Sequence, residues 1–245
     1  MLAIRREIEW CRRSLIRRPA YFVTAILVLA TGVGATTALI AAERGVYRSR
    51  LPNSGGDRLV RIYTGASSAS STDPRRFGRS SYPEIREYAE QTETFRSVIA
   101  SGRFVAQLGE DGGESVTGAL VTNNYFRILN LRPVLGRLID GGDDRQGGTA
   151  NDIVISYDYW QARYGGATDV IGKLLRVNGH AFAITGVTLS SFRGTAFDYS
   201  PRFWVPVSMQ AEAFGTPWVV DFPDARLFDV LAELQPAVTL RQAQA

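Results

Sequence analysis

Residues 19–42 read PAYFVTAILVLATGVGATTALIAA, a run of 24 residues without a charged side chain. As an α-helix this run would be roughly 36 Å long, enough to cross a hydrocarbon core of ~30 Å. Basic residues beside a membrane helix mark its cytoplasmic end. Six arginines precede the run: Arg5, Arg6, Arg12, Arg13, Arg17 and Arg18. The sequence therefore predicts a membrane helix over residues 19–44, with a cytoplasmic N-terminus and the main domain on the far side.

A cleaved signal peptide is the alternative interpretation of this run. Its apolar part is longer than the 7–15 residues typical of signal peptides, and residues 37–42 lack a clean small-x-small cleavage pattern. An uncleaved anchor is therefore favoured. Residues 31–37, TGVGATT, contain side chains small enough for a second helix to approach closely. The run is thus either a lone anchor or one helix of a bundle.

Residues 1–18 have the pattern of an amphipathic helix. Leu2, Ile8 and Leu15 can share one side while the arginines occupy the other. A helix of this type lies along a membrane surface, and Pro19 marks the break before the predicted span.

The charge distribution argues against nucleic-acid binding. Residues 1–18 hold six Arg and two Glu, a net charge of +4, and the whole chain also carries +4. The residues after position 18 are therefore neutral overall, whereas a nucleic-acid-binding domain concentrates positive charge on its folded surface. The basic excess instead fits an orienting signal beside the membrane and attraction to anionic lipid.

Alternating apolar patterns and turn residues predict a series of short strands and helices after residue 57. Asn178-Gly179 favours a type I′ turn between two strands, and Ser81-Tyr-Pro-Glu84 has the features of a helix start. Residues 65–79 are predicted to form a loop. The predicted strands are 58–63, 97–108, 114–121, 153–155, 173–177, 180–187, 202–207 and 227–234. The predicted helices are 81–93, 123–129, 157–164 and one that begins at Thr239.

Residues that commonly carry chemistry are scarce. His180 is the only histidine and Cys11 the only cysteine, which excludes zinc sites built from several Cys and His ligands. His180 follows a tight turn and is expected to be a strand residue, and no Gly-x-Ser-x-Gly motif is present. Cys11 cannot form a disulfide within the chain, so packing must stabilise the domain. Palmitoylation or redox sensing is a second interpretation of Cys11.

Two further patterns fail on spacing. Residues 166–173 resemble a phosphate-binding loop, but five residues separate Gly166 from Gly172, and Leu174 stands where Ser or Thr is needed. The acidic turns 110–113 and 140–144 lack the spacing of a calcium-binding EF-hand loop. A catalytic pair of carboxylates, as in glycosidases, is an alternative that the sequence leaves open. We therefore expect a protein that is not an enzyme, with no catalytic, cofactor-binding or metal-binding residues and no cofactor.

An ordered series of short motifs resembles the MacB-like periplasmic core domain of FtsX-like ABC-transporter permeases. Residues 29–38, LATGVGATTA, look like the first membrane helix of that family, and residues 115–126, SVTGALVTNNYF, are similar to the crossing between its lobes. The series covers nearly the whole chain, and its style resembles the orphan permeases with duplicated halves. The other motifs are DRLV (57–60), LGR (135–137), IVISYDYW (153–160), VIG (170–172), VNG (177–179), ITGV (184–187), FRG (192–194) and FWVP (203–206).

The resemblance implies an α+β domain with two lobes. A porter-like β-α-β lobe would comprise residues 45–122 and 226–245, with a second, mixed α/β lobe inserted over residues 123–225. Because family members go on to complete the porter lobe and add three membrane helices, we expect a fragment, a truncated product or a split permease half.

The resemblance also implies a function in the bacterial inner membrane. The chain would be the permease-type component of an ABC-transporter-like complex whose periplasmic domain passes ATP-driven motion to substrate export or partner activation. The implied partners are a separate ATP-binding subunit, other permease helices or a second permease half, and the lipid membrane, but no nucleic acid. A membrane-anchored extracytoplasmic binding or sensing domain without transport is the alternative, and a periplasmic hydrolase is the third.

Overall fold

The computed structural model describes residues 24, 27–34, 36–37, 58–65, 77–109, 113–141, 151–196, 198–214 and 222–243. The chain forms two compact units, residues 1–49 and 50–245. The predicted surface helix 1–18 lies outside the described residues, as does much of the predicted span 19–44.

The first unit is helical at residues 27–34 and 36–37. Its apolar side chains are exposed, from 58% for Leu27 to 72% for Val28. Thr31, Thr36 and Thr37 each donate their hydroxyl to the carbonyl four residues earlier, at 2.7 Å. Within the described residues, we find no helix with both the length and the apolar character needed to cross a bilayer.

The second unit is a mixed α+β domain, and its described residues contain eleven strands and five short helices. The strands are β1 (Leu59–Ile62), β2 (Thr64–Gly65), β3 (Phe77–Gly78), β4 (Phe95–Leu108), β5 (Glu114–Val121), β6 (Leu135–Gly136), β7 (Asp152–Ile155), β8 (Leu174–Val177), β9 (His180–Val187), β10 (Phe203–Pro206) and β11 (Phe228–Leu234). The helices are α1 (Tyr82–Glu90), α2 (Tyr125–Ile128), α3 (Tyr157–Tyr164), α4 (Gln210–Phe214) and α5 (Leu240–Ala243).

Nine of these strands form one sheet, in the order β1-β11-β4-β5-β10-β7-β9-β6, with β8 pairing to both β4 and β9. The double pairing of β8 closes a ring of six strands: β4, β5, β10, β7, β9 and β8. The closure is short, because its ladder pairs only Leu108 with Val177. Asn178 reinforces it: its backbone N–H donates to the Gln107 carbonyl and its Oδ1 accepts from the Gln107 N–H, both at 2.9 Å.

Buried side chains alternate between the two faces of the sheet, as the period of two along a strand requires. The inner core, on the face that bears Phe104, Phe182 and Phe203, also receives residues of α1 and α3. The outer core, on the opposite face, contains Tyr125 and Trp204 together with Phe126. In β10, for example, Phe203 and Val205 enter the inner core while Trp204 between them enters the outer core.

The predicted strands and helices are confirmed, with boundary differences of a few residues. Helix α1 begins with a capping box, in which Glu84 N–H donates to Ser81 Oγ and Ser81 N–H donates to the Glu84 carboxylate, but it ends at Glu90 rather than Glu93. The Asn178-Gly179 turn has the positive φ values of a type I′ turn, 49° and 86°.

Three features were not predicted: strand β6, helix α4, and the small β2–β3 sheet at the ends of the predicted 65–79 loop. The division into two lobes stays a prediction. The parallel pairing of β5 with β10, Ala119 opposite Trp204, joins strands from either side of the predicted boundary at residues 122–123.

Candidate functional site

A cluster of charges lies where β1 and β11 meet the segment after β9. Asp229 on β11 accepts from two arginines: Arg61 Nη1 on β1 is 3.2 Å from its Oδ1, and Arg79 Nε is 3.5 Å from its Oδ2. Arg79 Nη2 also donates to Asp198 at 2.9 Å. We call these four residues the arginine–aspartate network.

The network ties the 195–199 segment to the sheet. Arg61 Nη2 donates to the Thr195 carbonyl at 2.6 Å, and the hydroxyl oxygens of Thr195 and the buried Tyr125 are 3.0 Å apart. The guanidinium carbon of Arg103 on β4 lies 5.4 Å from the centre of the Tyr199 ring, within the range of a cation–π contact. The segment is therefore held by ionic, hydrogen-bonded and aromatic contacts together.

Burial dominates the electrostatics of this region. It raises the pKa of Asp229, and the charges of Arg61 and Arg79 only partly oppose the shift, while Asp198 adds to it. Burial also raises the pKa of Tyr199 to about 12 and that of Tyr125 well above its ordinary value. Both carboxylate oxygens of Asp229 face guanidinium groups, so the arrangement is suited to clamping two parts of the domain together.

A cleft of about 510 Å³ lies elsewhere in the domain, beside the junction of β4 and β8. Its apolar wall contains Leu108, Leu174 and Leu175, and its polar wall contains Glu114, Arg163 and Tyr159. We call it the β4–β8 cleft. Burial raises the pKa of Tyr159 to about 12, and the adjacent Tyr164 contributes to the shift while Arg163 opposes it.

Of the residues singled out from the sequence, those that the structure describes lie in separate elements. His180 is the exposed first residue of β9, opposite Val177, which confirms it as a strand residue. Within residues 166–173 the chain makes a 3₁₀ turn, Thr168–Val170, and Lys173 Nζ pairs with Asp169 at 3.0 Å. Cys11 lies outside the described residues, as do most residues of the two acidic turns.

No group of three or more His, Cys, Asp or Glu side chains that could hold a metal ion occurs in the part of the chain that the structure describes. The expectations of no metal, no cofactor and no catalytic residue stay predictions.

Sequence reasoning missed the arginine–aspartate network. One signal was available: Asp229 stands in strand 227–234, LFDVLAEL, where its alternation partner Leu231 is buried in the outer core. A charged residue at such a position needs a buried partner. Its partners were not readable, because Arg61 lies 168 residues away in the chain.

Comparison with known structures shows a similar fold in three solved structures. The periplasmic region of MacB from Actinobacillus actinomycetemcomitans superposes with a TM-score of 0.56 at 17% identity, over 77% of this chain and 80% of that one. The extracellular domain of the noncanonic ABC-type transporter YknZ from Gram-positive bacteria gives 0.51 at 16% identity, over 76% and 87% of the two chains.

The third structure is a domain of a putative permease protein from Porphyromonas gingivalis, with a TM-score of 0.50 at 16% identity over 76% of this chain and 78% of that one. A comparison with curated protein sequences finds no match. The sequence does match a family, the MacB-like periplasmic core domain, over residues 22–245. This match spans more than nine-tenths of the chain, and the chain therefore belongs to the family of MacB-like periplasmic core domains.

Proposed function

We propose that the chain is the permease-type component of an ABC-transporter-like complex, and that its periplasmic domain passes ATP-driven motion to substrate export or to an activated partner. The observation that carries the proposal is the family match over residues 22–245. The ATP would be hydrolysed by a separate cytoplasmic subunit, and other permease helices or a second permease half would complete the membrane part. The chain itself would catalyse no reaction.

Transmission of motion requires a domain that moves as a connected body. The six-stranded ring supplies such a body, since backbone hydrogen bonds connect all its strands. The arginine–aspartate network supplies a second connection, from β1 and β11 to the 195–199 segment. A force applied to β1, which is near the first unit in sequence, would thus reach the ring through β11 and through the network.

The first unit has features that suit a membrane helix. Four large apolar side chains, Leu27, Val28, Leu29 and Val33, are each more than half exposed. The hydroxyls of Thr31, Thr36 and Thr37 are satisfied within the helix itself, as hydrocarbon surroundings demand. We propose that residues 19–44 anchor the chain in the bacterial inner membrane with the N-terminus in the cytoplasm.

The single cysteine provides a direct test of this topology. In spheroplasts, which have lost the outer membrane but keep a sealed inner membrane, Cys11 should resist a membrane-impermeant maleimide. It should react only after the inner membrane is permeabilised. The matched variant carries Cys11→Ser and Ser115→Cys, because Ser115 is exposed on β5; it should react at once. Labelling of Cys11 in sealed cells would place the N-terminus outside and overturn the proposed orientation.

Association with an ATPase tests the transport role. The tagged full-length chain, extracted from native membranes, should co-purify with a subunit that carries a phosphate-binding loop and hydrolyses ATP. Deletion of residues 2–18 should weaken the association, because these residues would face the cytoplasmic side. If the intact chain recovers no ATPase and the deletion changes nothing, the proposal fails.

A membrane-anchored binding or sensing domain without transport is the second candidate function. One observation favours it: the β4–β8 cleft has the volume of a small-molecule site, about 510 Å³. The two candidates differ in the ATPase experiment, since a sensing domain would fold, insert and bind a ligand without an associated ATPase.

A further inference from the structure

Strand β6 ends the large sheet beside an open groove. It pairs only with β9, so within the described residues its outer edge has no neighbouring strand. The groove has a volume of about 530 Å³, and all its lining residues lie within 126–140, a stretch that the structure describes without a gap. We call it the α2–β6 groove. The unpaired edge of a sheet is a template on which a further strand can add.

The α2–β6 groove has two walls. One wall is α2 with the turn after it, including Phe126 and Leu131, and the other is the chain from Gly136 to Asp140. Gly136 has no side chain, so it lines the groove with its backbone. An ion pair links the two walls, with Arg127 Nε 3.3 Å from Asp140 Oδ1, but the two side chains are 60% and 59% exposed. An ion pair this exposed costs little to open.

Two residues of the second wall have unpaired backbone groups. The Arg137 N–H still donates to the Thr185 carbonyl, at 2.8 Å. Beyond it, the backbone of Leu138 and Ile139 makes no hydrogen bond with any described residue, although the two residues are only 9% and 4% exposed. Backbone donors and acceptors in such surroundings are normally paired. These groups are therefore available to a ligand that carries peptide groups of its own.

The side chains that line the groove are mostly apolar. Leu131 and Pro133 are half-buried, and three further apolar side chains of the lining belong to the outer core: Phe126, Leu138 and Ile139. The charged side chains of the lining, two arginines and one aspartate, all make ion pairs with described residues. A ligand that fits the groove therefore removes apolar surface from water and has no unpaired charge to meet.

We propose that the α2–β6 groove binds an extended, uncharged segment of a partner protein, which adds as a strand along the outer edge of β6. Its backbone pairs with Leu138 and Ile139, and its apolar side chains pack on Leu131 and Pro133. In this binding mode, main-chain hydrogen bonds supply affinity and the pockets for alternate side chains supply specificity. The surface goes beyond the permease function, because it needs no associated ATPase.

A panel of synthetic peptides tests the proposal on the full-length chain in lipid nanodiscs. Each peptide has about seven residues, enough to follow the wall from Gly136 to Asp140. Val, Ile, Leu or Phe alternates with Thr, a Lys at each end keeps the peptide soluble, and a fluorophore reports binding by anisotropy. Empty nanodiscs correct for partition into lipid. We expect saturable binding of some members of the panel, and no saturable binding by any of them overturns the proposal.

N-methylation of the best peptide identifies strand addition. Alternate amides of a strand point to the partner on one edge. Methylation of an N–H that points to β6 should therefore weaken binding by about tenfold or more, whereas methylation of the N–H groups between these should have little effect. If methylation has the same effect at every position, or none at any, the peptide is held by its side chains alone and the proposal is wrong.

Matched variants locate the site. Leu131→Asp places a charge in the groove and should weaken peptide binding by about tenfold or more. Val105→Asp makes a similar change at a side chain 55% exposed on β4, outside the groove, and should leave binding unchanged. Unchanged binding in Leu131→Asp, or equal losses in the two variants, contradicts the proposed site. If Leu131→Asp fails to fold, the methylation series on the unmodified chain still decides the question.

Discussion

The inner core of the ring and the arginine–aspartate network hold the same domain together by opposite means. The inner core is apolar and buried: Phe104, Phe182 and Phe203 are at most 4% exposed. The network is ionic and graded in exposure, from 12% for the Arg61 side chain to 53% for that of Asp198. Apolar contacts resist any opening, whereas ion pairs near water can exchange partners. We therefore expect the ring to be the more rigid connection within the domain and the network to be the connection that is more easily broken.

Removal of an aromatic side chain from the inner core should have the largest effect on stability. The Phe203 ring is fully buried and packs edge to face against Phe104, with centroids 5.5 Å apart. Phe203→Ala should lower the free energy of unfolding by about 3–5 kcal/mol, because a cavity replaces the ring. Chemical denaturation of the full-length chain measures the loss. The control Val105→Ala, at a side chain 55% exposed, should cost less than about 0.5 kcal/mol. Equal losses of stability in Phe203→Ala and Val105→Ala would show that the interior of the six-stranded ring is not the rigid part of the domain.

Overpacking the inner core should lower the free energy of unfolding somewhat less than creating a cavity in it. A Cβ at position 118 would lie 2.3 Å from the Phe203 ring, so only glycine fits under that ring on β5. Gly118→Ala should destabilise the chain by roughly 1–3 kcal/mol through overpacking. The double variant Gly118→Ala with Phe203→Leu should recover part of this loss, as measured by the same denaturation. Additive losses in the double variant would argue against the close contact.

Loss of the Asp229 carboxylate, at the centre of the arginine–aspartate network, should have the next largest effect on stability. Asp229→Ala leaves Arg61 and Arg79 partly buried without their shared carboxylate, and should cost about 2 kcal/mol. Asp229→Asn keeps a hydrogen-bond acceptor and should cost less. Thermal unfolding of Asp229→Ala and Asp229→Asn measures which of the two variants loses more stability. If Asp229→Ala matches the unmodified chain, the network contributes nothing to holding the 195–199 segment.

The pH dependence of stability should distinguish the two regions at acidic pH, because Asp229 of the network titrates there whereas the phenylalanines of the inner core do not ionise. Burial raises the folded-state pKa of Asp229 above its ordinary 3.8, so the folded chain binds this proton more tightly than the unfolded chain does. The contribution of Asp229 to stability is therefore greatest below 3.8 and declines as pH rises through the raised pKa. Denaturation midpoints of the unmodified chain and of Asp229→Asn should diverge across that window. Their difference should be independent of pH if Asp229 has an unshifted pKa in the fold.

The difference between the inner core and the network also explains which features could be predicted from the sequence. Local patterns set the inner core: alternation in 97–108 and 180–187 and the Asn178-Gly179 turn predict strands β4 and β9 and the β8–β9 hairpin, all of which the structure confirms. The closure of the ring was not predicted, because the pairing of Leu108 with Val177 joins distant segments. The network depends on contacts between residues more than a hundred positions apart, such as Arg79 with Asp198, and no local pattern encodes them.

The outer edge of the network should show the smallest effect. The Asp198 side chain is 53% exposed, and that of its partner Arg79 is 36% exposed. Asp198→Ala should therefore cost less than about 1 kcal/mol at low salt, and high salt should reduce the loss further. A double-mutant cycle with Arg79→Ala isolates the pair, with an expected coupling of about 0.2–1 kcal/mol. Asp169→Ala, which breaks the exposed pair with Lys173, is the control for an ordinary surface ion pair. A coupling for Arg79–Asp198 well above that of the control would mean that the network is as rigid as the ring, and the division between a rigid ring and a changeable network would be wrong.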